Sequence, residues 1–230
     1  MTRTFKPSTD VLPAAQKRLW PQLRAAPELG LVLYGGTAIA LYLGHRSSVD
    51  FDFFTDKPLN RGALLTSFPF LERSTVLQDQ PETFTVLVAS GAGATETVKV
   101  SFFGALGIGR VGHPSVTDDG VLQVASLDDL MATKVKVMLQ RVDAKDYKDL
   151  AAMIDAGVSM ENALAAAREM FRPTFQPSES LKAMVYFEGG DLHTLTAQEK
   201  GTLIRASASV RDLPPVKRVS RELAIARDEP

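Results

Sequence analysis

Residues 31–54 read LVLYGGTAIALYLGHRSSVDFDFF, and this stretch decides the fold. Its apolar first part, residues 31–34, predicts a short buried strand that stops at a double glycine. An apolar helix follows and is expected to end at Gly44. The β-branched and aromatic residues of 49–55 then predict a second strand.

The second predicted strand carries two carboxylates, Asp50 and Asp52, in its middle. Because side chains alternate along a strand, both point to one face, while Phe51 and Phe53 point to the other face and into the core. Two like charges at this spacing repel each other unless a cation lies between them. Mg²⁺ binds carboxylate oxygens while it keeps waters and substrate phosphates, so the pair predicts a magnesium site.

The double glycine, Gly35 and Gly36, suits a phosphate site beside these acids. A backbone without Cβ atoms can approach a ligand closely. The helix that begins near Thr37 would offer free N–H groups and a positive dipole end to phosphate oxygens. Arg46 and Ser48 precede the strand and would add a cation and a hydroxyl. A plain turn remains the alternative for the glycines, and a solvated edge for the acids.

The rest of the chain predicts an α+β protein with a mixed sheet and flanking helices. The first domain is expected to span residues 1–125, with an N-terminal helix interrupted near Pro21 and a hairpin whose connection is 91–95. Residues 107–120 are expected to form a loop. A capping box at Ser126 opens a helical region, residues 126–230, which is expected to pack on the core.

The helical region carries a group of charges whose meaning the sequence leaves open. Lys134 shares a predicted helix face with Arg141, and Asp146 and Asp149 are neighbours on the next predicted helix. One interpretation is a solvated face with weak surface ion pairs. The other places Lys134 over a triphosphate, with Asp146 either near the metal or orienting the lysine.

Composition excludes several classes of protein. The 230 residues include no cysteine, which excludes disulfides and thiolate metal sites and is compatible with the cytoplasm. The net charge of −1 gives no overall attraction to nucleic acid. No apolar run is long enough for a transmembrane helix, so no membrane partner is expected.

The quoted stretch resembles the signature of the AbiEii/AbiGii toxin family of the polymerase-beta-like nucleotidyltransferase superfamily. Residues 129–150, DLMATKVKVMLQRVDAKDYKDL, are similar to the helical block of that family. The resemblance covers about residues 30–155. It implies a nucleotidyltransferase fold and Mg²⁺-dependent transfer of a nucleotide from an NTP to an acceptor hydroxyl, with RNA or tRNA as a candidate acceptor. It also implies a toxin with a cognate antitoxin.

The resemblance further implies a role for each matched residue. The implied catalytic residues are Asp50, Asp52, Lys134 and Asp146, of which Asp50 and Asp52 bind the metal. The implied nucleotide-binding residues are Gly35, Gly36, Thr37, Arg46, Ser48, Lys134 and Asp149.

One departure from the superfamily pattern concerns a third carboxylate on a later strand. That acid is expected near position 101, where this chain has Ser101, and Glu96 would lie on the opposite face. Two-carboxylate catalysis, a single metal and a stand-in such as Asp146 are each compatible with this serine. So is a catalytically weak or inactive module of the same fold that binds nucleotide or a partner. An acceptor hydroxyl on a protein is a further alternative.

Overall fold

The structure, a computed structural model, describes residues 3–89 and 96–225 and contains two compact units. The first unit comprises the chain up to Gly109, then His113–Ala125, and the stretch from Ser220 onward. The second unit comprises Arg110–Gly112 and Ser126–Val219. The division into domains 1–125 and 126–230 stays a prediction, and the connection 91–95 lies outside the described residues.

The first unit is built on a mixed sheet, which among the described residues has eight strands in the order β1-β7-β8-β2-β3-β6-β5-β4. The strands are β1 (Thr4–Phe5), β2 (Val32–Tyr34), β3 (Asp50–Phe54), β4 (Thr75–Gln80), β5 (Thr83–Ala89), β6 (Thr97–Phe103), β7 (Ser115–Thr117) and β8 (Gln123–Val124). β3 lies in the middle, antiparallel to β2 and parallel to β6. The α-helices of the first unit are α1 (Ala14–Leu19), α2 (Gly35–Leu43) and α3 (Arg61–Ser67). The predicted α+β class is therefore confirmed.

Local signals place the ends of these helices. α2 follows β2 with no connecting loop and ends at Gly44, whose φ of 64° is the left-handed conformation that glycine adopts easily. Asn60 caps α3 by accepting a hydrogen bond from the backbone N–H of Ala63 at 3.0 Å. The first helix stops at Leu19 and continues as a 3₁₀ turn that contains Pro21, which confirms the predicted interruption.

An aromatic core covers one face of the sheet. The strand register places Phe84, Phe102 and Phe53 side by side across β5, β6 and β3. Neighbouring rings stack with centroids 5.6 Å apart for Phe53 and Phe102, and Phe68 stacks on Phe102 at 5.7 Å. Phe51 and Phe53 are fully buried, as predicted from their alternation with the aspartates. The opposite face of β3 is therefore the one that carries Asp50 and Asp52.

Residues 107–120 are not entirely loop, because they contain the strand β7. β7 pairs in parallel with β1, where Val116 lies opposite Thr4 and Thr117 lies opposite Phe5. The prediction of a loop was wrong here because the glycines and proline around the strand conceal it. Its partners are β1, more than 100 residues away in the sequence, and β8, with which it pairs antiparallel.

The second unit is helical. Its helices are α4 (Leu127–Val137), α5 (Ala144–Asp155), α6 (Met160–Met170), α7 (Pro177–Met184) and α8 (Ala197–Ser209). Ser126 caps α4 by accepting a hydrogen bond from the backbone N–H of Asp129 at 3.1 Å. α4 ends at Val137, so Arg141 lies in the connection to α5 and does not share a helix face with Lys134. In residues 3–89 and 96–225, no helix is long and apolar enough to cross a membrane.

Candidate active site

Asp50 and Asp52 project from the same face of β3, beside polar residues of the neighbouring strands. Across the parallel pair with β6, Asp50 lies opposite Lys99 and Asp52 lies opposite Ser101. Across the antiparallel pair with β2, Asp52 lies opposite Tyr34. The two carboxylates are partly exposed, and 29% of the Asp50 side chain is accessible. The face therefore combines two acids, an ammonium group and hydroxyls within three adjacent strands.

Asp52 lies directly against Gly35, the first residue of α2. A Cβ atom at position 35 would be 2.6 Å from Asp52 Oδ2, closer than side-chain carbons come to oxygen in folded proteins. Gly35 also has a φ of +74°, which other residues adopt only with strain. The sequence predicted a close approach by a ligand at this glycine. The structure shows that the carboxylate of Asp52 makes such an approach.

A hydrogen-bonded link joins the start of α2 to the start of β3. The buried hydroxyl of Thr37 lies 2.8 Å from Ser48 Oγ and donates to the backbone carbonyl of Asp50. Since both hydroxyls are buried in this link, they fix Asp50 relative to the helix N-terminus. Arg46 lies two residues before Ser48, and its Nη1 donates to the carbonyl of Ser47 at 2.9 Å. Gly36 is the second residue of α2.

Lys99 is the residue of this site that the sequence analysis missed. Its Nζ lies 2.9 Å from Asp50 Oδ2, and 38% of its side chain is accessible. The alternation of Lys99 and Ser101 in β6 was visible in the sequence. Only the register of β6 against β3, however, shows that the lysine faces Asp50.

Ser101 occupies the sheet position directly beside Asp52, where a third carboxylate was expected. It is 2% exposed. Among the described residues, no group of three or more acids, histidines or cysteines has a geometry that could hold a metal ion. Two carboxylates on one face still suit Mg²⁺, because this ion commonly takes only one or two protein carboxylates and fills the remaining positions with waters and substrate phosphates.

The second unit contains a buried cluster of charges around Lys134. The ammonium group lies 2.6 Å from Asp146 Oδ1 and 2.7 Å from Asp149 Oδ2, and both acids are fully buried. Arg141 binds Asp146 with two hydrogen bonds, Nε to Oδ2 at 2.8 Å and Nη2 to Oδ1 at 3.0 Å. The interpretation of these charges as a solvated face with weak surface pairs was therefore wrong.

Electrostatics in this cluster favour the ionised form of Asp146. Burial raises the pKa of its carboxyl, but the hydrogen bonds and charges of Arg141 and Lys134 outweigh burial, so the pKa lies below its ordinary value. Burial, together with the negative charge of Asp146, raises the pKa of the neighbouring Tyr147. Asp146 thus holds the Lys134 ammonium group in place. Orienting this lysine is one of the two roles that the sequence left open for Asp146.

Comparison with known proteins identifies the family. The family model described as nucleotidyl transferase AbiEii toxin, type IV TA system, matches residues 19–215. An uncharacterized protein of Aquifex aeolicus (strain VF5) is 29% identical over 159 residues, which cover 68% of this chain and 73% of that protein.

Solved structures support the fold. A proposed nucleotidyltransferase from H. pylori has a TM-score of 0.53 at 18% identity and covers 84% of this chain and 89% of its own. MenT4, a nucleotidyltransferase toxin from Mycobacterium tuberculosis H37Rv, has a TM-score of 0.54 at 12% identity and covers 83% of this chain and 82% of its own. At these identities the likeness shows a shared fold.

Proposed function

The chain belongs to the AbiEii nucleotidyltransferase toxin family, and from this premise we propose that it transfers a nucleotide from an NTP to an acceptor hydroxyl in a Mg²⁺-dependent reaction. The observation that carries the proposal is the pair of carboxylates on one face of β3, with Asp52 seated against the glycine that begins α2. The carboxylates proposed as metal ligands and the helix N-terminus proposed to bind phosphate are therefore adjacent in a single segment of the first unit.

In this proposal, the polar residues and glycines of the segment 31–54 have distinct roles. Asp50 and Asp52 hold Mg²⁺, which supplies neutralisation of the triphosphate charge when it is bound. The backbone N–H groups at Gly35, Gly36 and Thr37 bind phosphate oxygens, because the first turn of a helix leaves them without intrahelical partners.

The two hydroxyls of the segment act as a scaffold in the same proposal. Because Thr37 and Ser48 are buried in the link to Asp50, they hold the phosphate-binding turn in register with the acids. Arg46 adds a positive charge to the segment that is proposed to bind the triphosphate.

The acceptor hydroxyl attacks the α-phosphorus, so that a new oxygen–phosphorus bond forms and the bond to the pyrophosphate leaving group breaks. The hydroxyl proton passes to a base or to solvent. Positioning and charge neutralisation provide most of the rate enhancement in reactions of this kind. Lys134, Asp146 and Asp149 belong to the second unit, and their contact with the nucleotide stays a prediction. RNA as acceptor, an antitoxin partner and action in the cytoplasm, where NTPs are abundant, belong to the proposal as implied by the family.

The test is a transfer assay with α-labelled NTPs, Mg²⁺ and total RNA. Wild-type protein is expected to label RNA, and Asp52→Asn is expected to reduce the labelling by at least 100-fold. Asp118→Asn, which alters an exposed acid of the same unit, is the matched control and should retain activity. Equal labelling by wild type and Asp52→Asn would refute the proposal. Replacing RNA by cellular protein in the same assay detects a protein hydroxyl as acceptor.

A second candidate function is a nucleotide-binding module without turnover. Ser101 beside Asp52 favours it, since no third carboxylate is available there to activate the acceptor hydroxyl. Binding of a metal–NTP complex without label transfer to RNA or protein would support this candidate. Restored transfer in Ser101→Asp would then identify the serine as the cause.

A further inference from the structure

The ion pair between Lys99 and Asp50 sets the charge balance of the proposed metal site. Lys99 Nζ contacts Asp50 Oδ2 at 2.9 Å, the side of the carboxylate that faces β6. On the far side of Lys99, the register of β5 places the uncharged Leu87. Asp50, Asp52 and Lys99 together carry one negative charge, which is little for a site that must attract a free divalent cation.

We propose that Lys99 is a positioning residue that holds Asp50 while no metal is bound and makes the site load metal together with the triphosphate. This inference rests on the proposed function. A divalent cation that arrives alone must compete with an ammonium group at the same carboxylate. A metal–triphosphate complex carries net negative charge, so the same ammonium group attracts it.

The exposure of the pair makes this exchange possible. With 38% of the Lys99 side chain and 29% of the Asp50 side chain accessible, water reaches both groups, and the pair can open at low cost. Lysine carries a compact charge on a flexible four-carbon stem, so its ammonium group can move from the carboxylate to a phosphate oxygen. A buried pair, such as Lys134 with Asp146, could not exchange in this way without a large desolvation cost.

Two binding measurements without turnover test the proposal. The first titrates Mn²⁺ alone and follows the free ion by electron paramagnetic resonance. The second titrates Mn²⁺ with α,β-methylene analogues of the four NTPs, which cannot be transferred. Lys99→Met removes the charge and keeps the length of the stem. It is expected to bind Mn²⁺ alone about tenfold tighter and the Mn²⁺–nucleotide complex about tenfold more weakly.

Opposite signs in the two titrations distinguish this role from a structural one, which would weaken both. Lys99→Arg keeps the charge and should resemble the wild type. Lys182→Met removes a lysine that is paired with Glu179 at 3.0 Å in α7, and it should change neither titration. Lys99→Gln provides a second neutral variant if Lys99→Met folds poorly.

Unchanged binding of Mn²⁺ alone in folded Lys99→Met and Lys99→Gln would overturn the inference, as would weaker binding in both titrations. If the wild type transfers nucleotide and only these signs are wrong, the inference fails while the proposed function stands. If the wild type binds none of the four metal–nucleotide complexes, both fail together.

Discussion

Replacing Gly35 by alanine tests whether the contact between the glycine and Asp52 serves the metal site. The added Cβ meets Asp52 Oδ2 at 2.6 Å, so the carboxylate must rotate away by roughly an ångström to reach ordinary contact. Alanine at a φ of +74° also costs about 1 kcal/mol of conformational strain. The first effect concerns function, because the carboxylate leaves its place, whereas the second concerns stability.

Gly44→Ala is a matched control at the other end of the same helix. Gly44 has a similar φ of +64°, but a Cβ there would meet only the Ser8 side chain, with Oγ at 3.4 Å. Both variants should therefore lose about 1 kcal/mol of unfolding free energy in urea titrations. Because a metal site tolerates little displacement of a ligand, Gly35→Ala alone should lose Mn²⁺–nucleotide binding and at least 100-fold of transfer activity.

The comparison between the two glycine variants decides the matter. If Gly35→Ala binds metal–nucleotide as tightly as Gly44→Ala, the approach of Asp52 to Gly35 is unimportant for the site. If Gly35→Ala loses several kcal/mol of stability, the contact is structural. Either result would refute the reasoning that joins the double glycine to the acids.

The remaining predictions concern stability. Asp146→Asn and Lys134→Met should each cost about 3 kcal/mol of unfolding free energy, because each breaks the buried ion pair between these residues and unbalances the charges of the cluster. In urea titrations the double variant should cost clearly less than the sum of the two. Since the pKa of Asp146 is lowered from 3.8, its stabilisation is present above that pH and is lost as pH falls through the folded-state pKa. Wild type should therefore lose more stability than Asp146→Asn between pH 5 and about pH 2, and equal losses would contradict the shift. Gln16 is 1% exposed, and its side-chain amide has no hydrogen-bond partner among the described residues. Gln16→Met should therefore raise the unfolding free energy by about 1 kcal/mol, and a decrease would show that the amide is hydrogen-bonded.

The segment from β2 to β3 was predictable because its signals are local. Alternation in residues 49–55 assigned Phe51 and Phe53 to the core and the two aspartates to the opposite face, and both aromatic rings are fully buried. Gly44 ended the helix for a conformational reason that is legible in the sequence. Such features depend on neighbours within a few residues, so no tertiary knowledge was needed.

The charged residues were not predictable in the same way. Lys134 and Asp146 are 12 residues apart on two helices, and their local pattern fits a surface as well as an interior. Their burial follows from packing in the second unit. The same packing brings Arg141, which lies after the end of α4, into contact with Asp146. The contact between Lys99 and Asp50 required the register of two strands that are parallel and distant in sequence.

The proposed site combines residues that are close in sequence with residues from a distant strand, and the two groups affect different properties of it. Gly35, Thr37, Asp50 and Asp52 lie within 18 residues and are joined by direct contacts, so the first turn of α2 and the acids form one preorganised piece. β6 supplies the neighbours that set its charge. In the proposed metal site, a carboxylate opposite Asp52 would strengthen the binding of a free cation, whereas Ser101 beside Asp52 and Lys99 beside Asp50 are expected to weaken it. In the proposed site, a change of residues 99 and 101 of β6 is therefore expected to shift binding between a metal ion alone and a metal ion with the nucleotide, while the segment that positions the acids is unaltered.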